Sequence, residues 1–173
     1  RGGERAHTPR RTLGGNVMAG NPAYDLLPAL LALGARLVFA VPRGGEAVAA
    51  GSAADLPPGL LARIEIPLAA ERRFVLERAY KPVISLAVAV ERSGGTLAGR
   101  AAVGCAHAWP VALPLDIGNA ADFVALAGRA AEMAQDFAVR LPEPAGDLAA
   151  SAAYRRHLAE VLLRRALMRI AGS

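Results

Sequence analysis

The stretch R73FVLERAYKPVISLAVAVERSGGTLAGRAAVG104 decides the fold. Two apolar runs, Arg73–Tyr80 and Val83–Glu91, are rich in the β-branched and aliphatic residues that suit a pleated surface. Arg92-Ser93-Gly94-Gly95 then places two glycines where a tight hairpin needs positive φ, and Thr96–Gly104 returns as the partner strand. The reading is an antiparallel meander.

Working backwards, Leu60–Pro67 alternates as a strand, with Ile64 and Ile66 on one side and Arg63 and Glu65 on the other. Ala35–Val41 is a further strand, and Pro42–Gly59 reads as a Gly/Ala/Pro loop. A short helix is predicted from Asp25-Leu-Leu-Pro28 through Leu33, ended by Gly34, with Asp25 placed to cap it. Thr12–Pro22 reads as a Gly-rich loop, and Arg1–Arg11 as an extended lead-in. Working forwards, two helices are predicted over Ala120–Val139 and Ser151–Ile170. On the second, Tyr154, Leu158, Val161 and Leu162 form the expected apolar stripe, with Arg155, Arg156, Arg164 and Arg169 largely off it. The expected class is α+β, with the helices on one face of an antiparallel sheet.

Composition narrows the function. Hydrophobic residues make up 54% of the 173, enough for a real core. No apolar run reaches the length of a membrane span, and the basic N-terminus lacks the apolar segment of a secretory signal. The formal charge is +5, but the arginines are scattered and aromatics amount to 5%. That pattern argues against a nucleic-acid surface. Cys105 is the sole cysteine, so this chain by itself builds no disulfide, iron–sulfur cluster or zinc site, and a reducing, cytoplasmic compartment is the expectation. His7, His107 and His157 have no ligand spacing. No Ser/His/Asp or Cys/His constellation suggests side-chain catalysis; Cys105 near His107 reads as packing.

One motif asks for more. Thr12-Leu13-Gly14-Gly15-Asn16, followed by Pro22-x-x-Asp25-Leu26-x-Pro28, resembles the loop and helix start of the FAD-binding subunits of molybdenum hydroxylases. That family includes the medium subunit of carbon monoxide dehydrogenase and the flavin parts of xanthine dehydrogenase. The resemblance continues in order through Pro58–Pro67, Phe74–Val90, and Asp147 with Ala153-Tyr154-Arg155-Arg156. It implies the second part of a PCMH-type FAD-binding domain over residues 1–70 and a carbon monoxide dehydrogenase flavoprotein C-terminal-like domain over 71–173.

By the same resemblance, Thr12, Leu13, Gly14, Gly15 and Asn16 would approach the cofactor, Gly14-Gly15 offering unobstructed backbone N–H groups. Asp25 would accept hydrogen bonds from its hydroxyls. Arg78 stands where the family carries a lysine near the flavin, and Ser85 where it carries an aspartate. Glu77 reads as a solvated strand face, and Leu61 either meets the flavin or belongs to the core. No catalytic residue is expected, because the flavin carries the chemistry. The implied role is electron transfer from iron–sulfur clusters on a small partner subunit, through FAD, to an acceptor. Substrate oxidation falls to a molybdenum-cofactor large subunit. Family members open with a small subdomain whose Gly-rich loop wraps the FAD diphosphate. Nothing in Arg1–Arg11 supplies it, which leaves three readings: the chain is a fragment, the missing part lies on a separate chain that would be a further partner, or FAD is no longer held tightly. The alternative reading is a non-catalytic assembly module that no longer holds FAD.

Overall fold

A computed structural model describes residues 12–42, 44–50, 56–57, 59–79 and 83–173. The lead-in Arg1–Arg11, Pro58 and the Tyr80–Pro82 connection lie outside them.

The hairpin forms as expected and anchors the chain. β5 (Ser85–Ser93) and β6 (Thr96–Gly104) pair antiparallel from Ser85↔Gly104 to Ser93↔Thr96, and Gly94 and Gly95 take φ of 57° and 86° in the turn. β4 (Glu71–Arg78) and β7 (Val111–Leu115) flank them, giving the order β4-β5-β6-β7. A separate three-stranded antiparallel sheet, β2-β1-β3, is built from β1 (Arg36–Ala40), β2 (Glu46–Ala50) and β3 (Leu60–Glu65). β2 lies inside the span read as a loop, and β7 was not read from the sequence. Both are short edge strands whose hydrogen bonds come from a neighbour. Pro114 in β7 is tolerated because an edge strand can leave one N–H position unpaired.

Both faces of the large sheet are covered, which is why β5 is almost continuously buried. Leu86, Val88 and Val90 point into one core with Ala101 and Val103. The helices α3 (Leu126–Arg140) and α4 (Ala152–Gly172) cover that side, contributing Leu126, Phe137, Leu163, Leu167 and Ile170. The opposite side carries Ala87, Ala89 and Ala102. These small side chains let α2 (Leu26–Ala32) lie close to the sheet, joined by Leu37 and Phe39 of β1. The C-terminal helices thus occupy one face, as expected, while α2 occupies the other.

Four expectations need correction. α3 begins at Leu126 rather than Ala120: Asp122 Oδ1 accepts from the Ala125 N–H at 2.9 Å, a local turn that competes with the helix. The buried row of α4 is Arg155, Ala159, Leu162, Leu163, Ala166, Leu167, Ile170 and Ala171. Tyr154 is 51% exposed while Arg155 is 3% exposed, so the core-facing row is turned by one residue from the predicted stripe. Glu77 is buried, not solvated: it faces α4, and Arg169 Nη1 donates to its Oε1 at 2.8 Å. Finally, Thr12–Pro22 is not all loop, since Leu13–Met18 forms a short helix, α1.

Among the described residues no helix is long and apolar enough to cross a membrane.

Candidate functional site

The local chemistry of α1 begins with Thr12. Its hydroxyl accepts from the Gly15 N–H at 3.0 Å, and its carbonyl accepts from the Asn16 N–H at 2.9 Å. That N-cap converts a Gly-rich run into a turn and a half of helix. Neither Gly14 nor Gly15 is left-handed, and only Gly15 has a neighbour too close for an added Cβ. A Cβ on Gly15 would lie 2.9 Å from Thr12 Oγ1, and one on Gly14 would reach Leu61 Cδ2 of β3 at 3.9 Å. Leu61 also packs at the margin of the core beneath α2. Gly20, beyond the helix, does need positive φ, at 58°, and sits under the Trp109 indole.

Asp25 occupies the N-cap position of α2, but its backbone is helical and its side chain makes no capping bond, contrary to expectation. Instead Oδ2 lies 3.1 Å from Arg78 Nη1. The placement of Asp25 is fixed from outside its own helix. Asn21 Oδ1 accepts from Ala23 N–H at 2.9 Å, closing a tight turn. The Pro22 carbonyl accepts from the Cys105 N–H at 2.9 Å. Gly104 lets Pro28 seat on the sheet, since a Cβ there would be 2.7 Å from Pro28 Cγ and 2.6 Å from Ser85 Oγ.

The residues singled out in the sequence thus fall into two groups on adjoining elements. Thr12, Leu13, Gly14, Gly15 and Asn16 lie on α1, with Leu61 against it; Asp25 and Arg78 form an ion pair at the start of α2. α1 touches both α2 and β3. Two surface grooves lie elsewhere. One, of about 320 Å³, runs between the end of α2 and β5–β7 beside Gly34, Glu91 and Arg100. The other, of about 410 Å³, lies between α3 and α4 beside Glu143 and His157.

Among the described residues the buried side-chain polar atoms without a hydrogen-bond partner are Asn16 Oδ1, Asp25 Oδ1, His107 Nε2 and Arg155 Nε. Buried acceptors left without donors are costly and uncommon. Here the two carboxamide and carboxylate oxygens both fall on residues picked out for a cofactor. Their chemistry suits a hydroxyl-bearing chain such as the ribityl and ribose groups of FAD, because each oxygen can accept from a hydroxyl donor.

Sequence reasoning missed the next layer. Arg155 sends Nη1 to the carbonyls of Val83 (2.7 Å) and Cys105 (2.6 Å), and Nη2 to Asp147 Oδ2 (2.6 Å). The Ala150 and Ala149 N–H groups and Arg155 together hold the Asp147 carboxyl below the ordinary carboxylate range. Cys105 is half-buried, 3.9 Å from Ser85 Oγ; burial pushes its thiol up. Burial, then the Arg156 and Arg155 charges, hold the His107 imidazole below its usual value. The signal that could have found Arg155 was the co-occurrence of Asp147 with the Tyr-Arg-Arg run, since an arginine reaching a partner can enter a core.

The sequence comparison bears directly on α1, α2 and the first sheet. Residues 2–69 match the family model of the FAD binding domain in molybdopterin dehydrogenase. Over that span the chain is similar to this domain family. No curated protein sequence matches. Solved structures do. The reconstituted CO dehydrogenase from Oligotropha carboxidovorans is similar with a TM-score of 0.71 at 24% identity, over 93% of this chain and 61% of that one. The carbon monoxide dehydrogenase from Hydrogenophaga pseudoflava that lacks the Mo-pyranopterin moiety of the molybdenum cofactor is similar with a TM-score of 0.65 at 26% identity, over 91% and 60%. The chain thus spans about three-fifths of the length of the CO dehydrogenase chains it matches. The FAD-binding domain family and the fold of these enzymes together account for the mixed helix and antiparallel-sheet architecture, including the C-terminal helices.

Proposed function

We propose that this chain is the flavin-carrying, electron-transfer part of a molybdenum-containing hydroxylase or dehydrogenase. Thr12–Asn16, Asp25, Leu61 and Arg78 form its share of the FAD surface. The observation that carries the reading is the pair of buried, unpartnered acceptors, Asn16 Oδ1 and Asp25 Oδ1, inside the span matched by the FAD-binding domain family. Bound FAD supplies the redox chemistry. The residues of this chain bind and orient it: Asn16 and Asp25 accept from cofactor hydroxyls, Gly14 and Gly15 keep the α1 surface clear of side chains, and Leu61 offers an apolar contact beside them. Arg78 neutralises Asp25 and keeps a positive charge beside the site. As a fork-shaped donor it places that charge more rigidly than a lysine would. In this reading the electrons arrive from an iron–sulfur partner subunit, and a molybdenum-cofactor subunit oxidises the substrate. The remaining FAD contacts come from protein outside these residues. The proposed division is a C-terminal part of an FAD-binding domain over residues 1–70 and a carbon monoxide dehydrogenase flavoprotein C-terminal-like domain over 71–173. A cytoplasmic location fits the lone thiol of Cys105.

The test is the visible spectrum of the purified protein followed by titration with FAD. Flavin uptake is expected. Asn16→Leu and Asp25→Ala, each of which removes the accepting oxygen, should each weaken it by at least roughly tenfold, the cost of one lost hydrogen bond to a charged or buried group, with unchanged circular dichroism. Equal affinity in both variants removes the site assignment. A second reading, an assembly module without flavin, is favoured by one observation: the larger core closes almost wholly within residues 75–171. A folded protein that takes up no FAD would support it.

A further inference from the structure

Cys105 is the one non-glycine among the described residues with positive φ, at 66°. Such a conformation persists only where neighbours over-determine it. Both of its backbone groups are held. Its N–H donates to the Pro22 carbonyl at 2.9 Å, and its carbonyl accepts from Arg155 Nη1 at 2.6 Å. One strained residue therefore joins helix α4 to the turn that carries Asp25.

Arg155 is an unusual choice for this role. It sits on the core-facing row of α4 and is 3% exposed, where an aliphatic side chain would continue the stripe of Ala159, Leu162 and Leu163. Its guanidinium instead collects three segments: Val83 at the head of β5, Cys105 at the end of β6, and Asp147 in the link between α3 and α4. Asp147 is itself oriented beforehand, its Oδ1 accepting from the Ala149 and Ala150 N–H groups at 2.8 and 3.0 Å. The fork geometry of arginine matches this set of acceptors, and an ammonium would not span it.

We propose that Arg155 is a positioning residue for Asp25, acting through the Cys105 turn and the Pro22 carbonyl. The relay Asp147–Arg155–Cys105–Pro22 fixes where the Asp25 carboxylate stands relative to Arg78 and α1. Its consequence for flavin rests on the function proposed above; the relay itself does not.

Three variants of the full chain test it: Asp147→Asn, Arg155→Lys and Arg155→Met. Asp147 is largely exposed, so Asp147→Asn keeps the buried arginine and leaves the fold intact. The readouts are amide hydrogen exchange at Cys105, compared with Leu86–Val90 of β5, and FAD affinity by titration. Exchange at Cys105 should rise selectively, roughly tenfold in Asp147→Asn and more in Arg155→Lys, reflecting weakened charge-assisted bonds. FAD affinity should fall in parallel although no altered residue is among those assigned to the cofactor. Exchange that rises equally at Cys105 and throughout β5 in all three variants means Arg155 only stabilises the core, and the proposal fails. Selective exchange at Cys105 with unchanged FAD affinity also overturns it. A wild-type chain that takes up no FAD defeats the flavin reading instead. In that event the relay stands or falls on the selective exchange at Cys105 and the adjoining Ala23–Asp25 amides.

Discussion

Gly104→Ala tests the link between sheet packing and the Asp25 site through a single methyl group. Gly104 ends β6 and is not left-handed, so alanine can adopt its backbone without conformational penalty. The obstacle is steric, because the new Cβ would stand 2.6 Å from Ser85 Oγ and 2.7 Å from Pro28 Cγ. The serine hydroxyl can rotate, but the proline ring cannot, so α2 must lift from the sheet. Overpacking of this kind costs ~1–3 kcal/mol, while the freedom removed from the unfolded chain returns ~0.4–1 kcal/mol. A net loss of about 1–2 kcal/mol lowers the unfolding midpoint by roughly 2–8 °C in a chain of this length. Gly128→Ala is the internal control. It lies inside α3 with nothing within 4 Å of the added Cβ, and should stabilise the protein by ~0.8–1 kcal/mol through helix propensity alone. The assay is thermal unfolding followed by circular dichroism, with FAD titration on the same samples. Gly104→Ala should also weaken FAD binding, because Pro28 and Asp25 share the first turn of α2. A Gly104→Ala protein as stable as the Gly128→Ala control would refute the claim that this glycine seats α2.

Other predictions follow from burial and charge. Tyr154→Ala should change stability by less than ~0.5 kcal/mol, as expected for an exposed side chain away from special features, whereas Phe137→Ala, fully buried beneath the sheet, should cost ~3–5 kcal/mol in chemical denaturation. A large loss in the tyrosine variant would restore the predicted stripe. His107 should make stability pH-dependent. Its folded pKa lies below the unfolded value, so its contribution is complete above the unfolded pKa of ~6.5 and is lost as pH falls through the lower folded value. The unfolding midpoint of the wild type should therefore drop between neutral and mildly acidic pH more steeply than that of His107→Gln; parallel profiles would exclude the histidine as the cause.

Much of the architecture was legible because it rests on local rules. Gly94-Gly95 dictated the turn, the apolar runs on either side dictated β5 and β6, and Gly34 marked the end of α2. β2 and β7 were not legible, because edge strands of five residues acquire their hydrogen bonds from neighbours rather than from their own pattern. At the candidate site the motif residues stood out, but their conformation did not. Thr12–Asn16 reads as a loop from its glycines, yet the Thr12 cap and packing against Leu61 turn it into helix. Asp25 reads as a cap, yet its oxygen goes to Arg78, fifty-three positions along the chain and unseen by any local rule.

The chain's own pattern determined the class, the hairpin, the two C-terminal helices and the segments that resemble a flavin domain, since period, turn chemistry and motif spacing are properties of neighbours in sequence. Tertiary structure alone decided which row of α4 faces the core, that Glu77 and Arg155 are buried, and that Cys105 joins that helix to the Asp25 turn. A charged side chain reads as solvent-facing until its partners are known. Arg155 can enter the core only because Val83, Cys105 and Asp147, from three separate segments, arrive together to offer it acceptors.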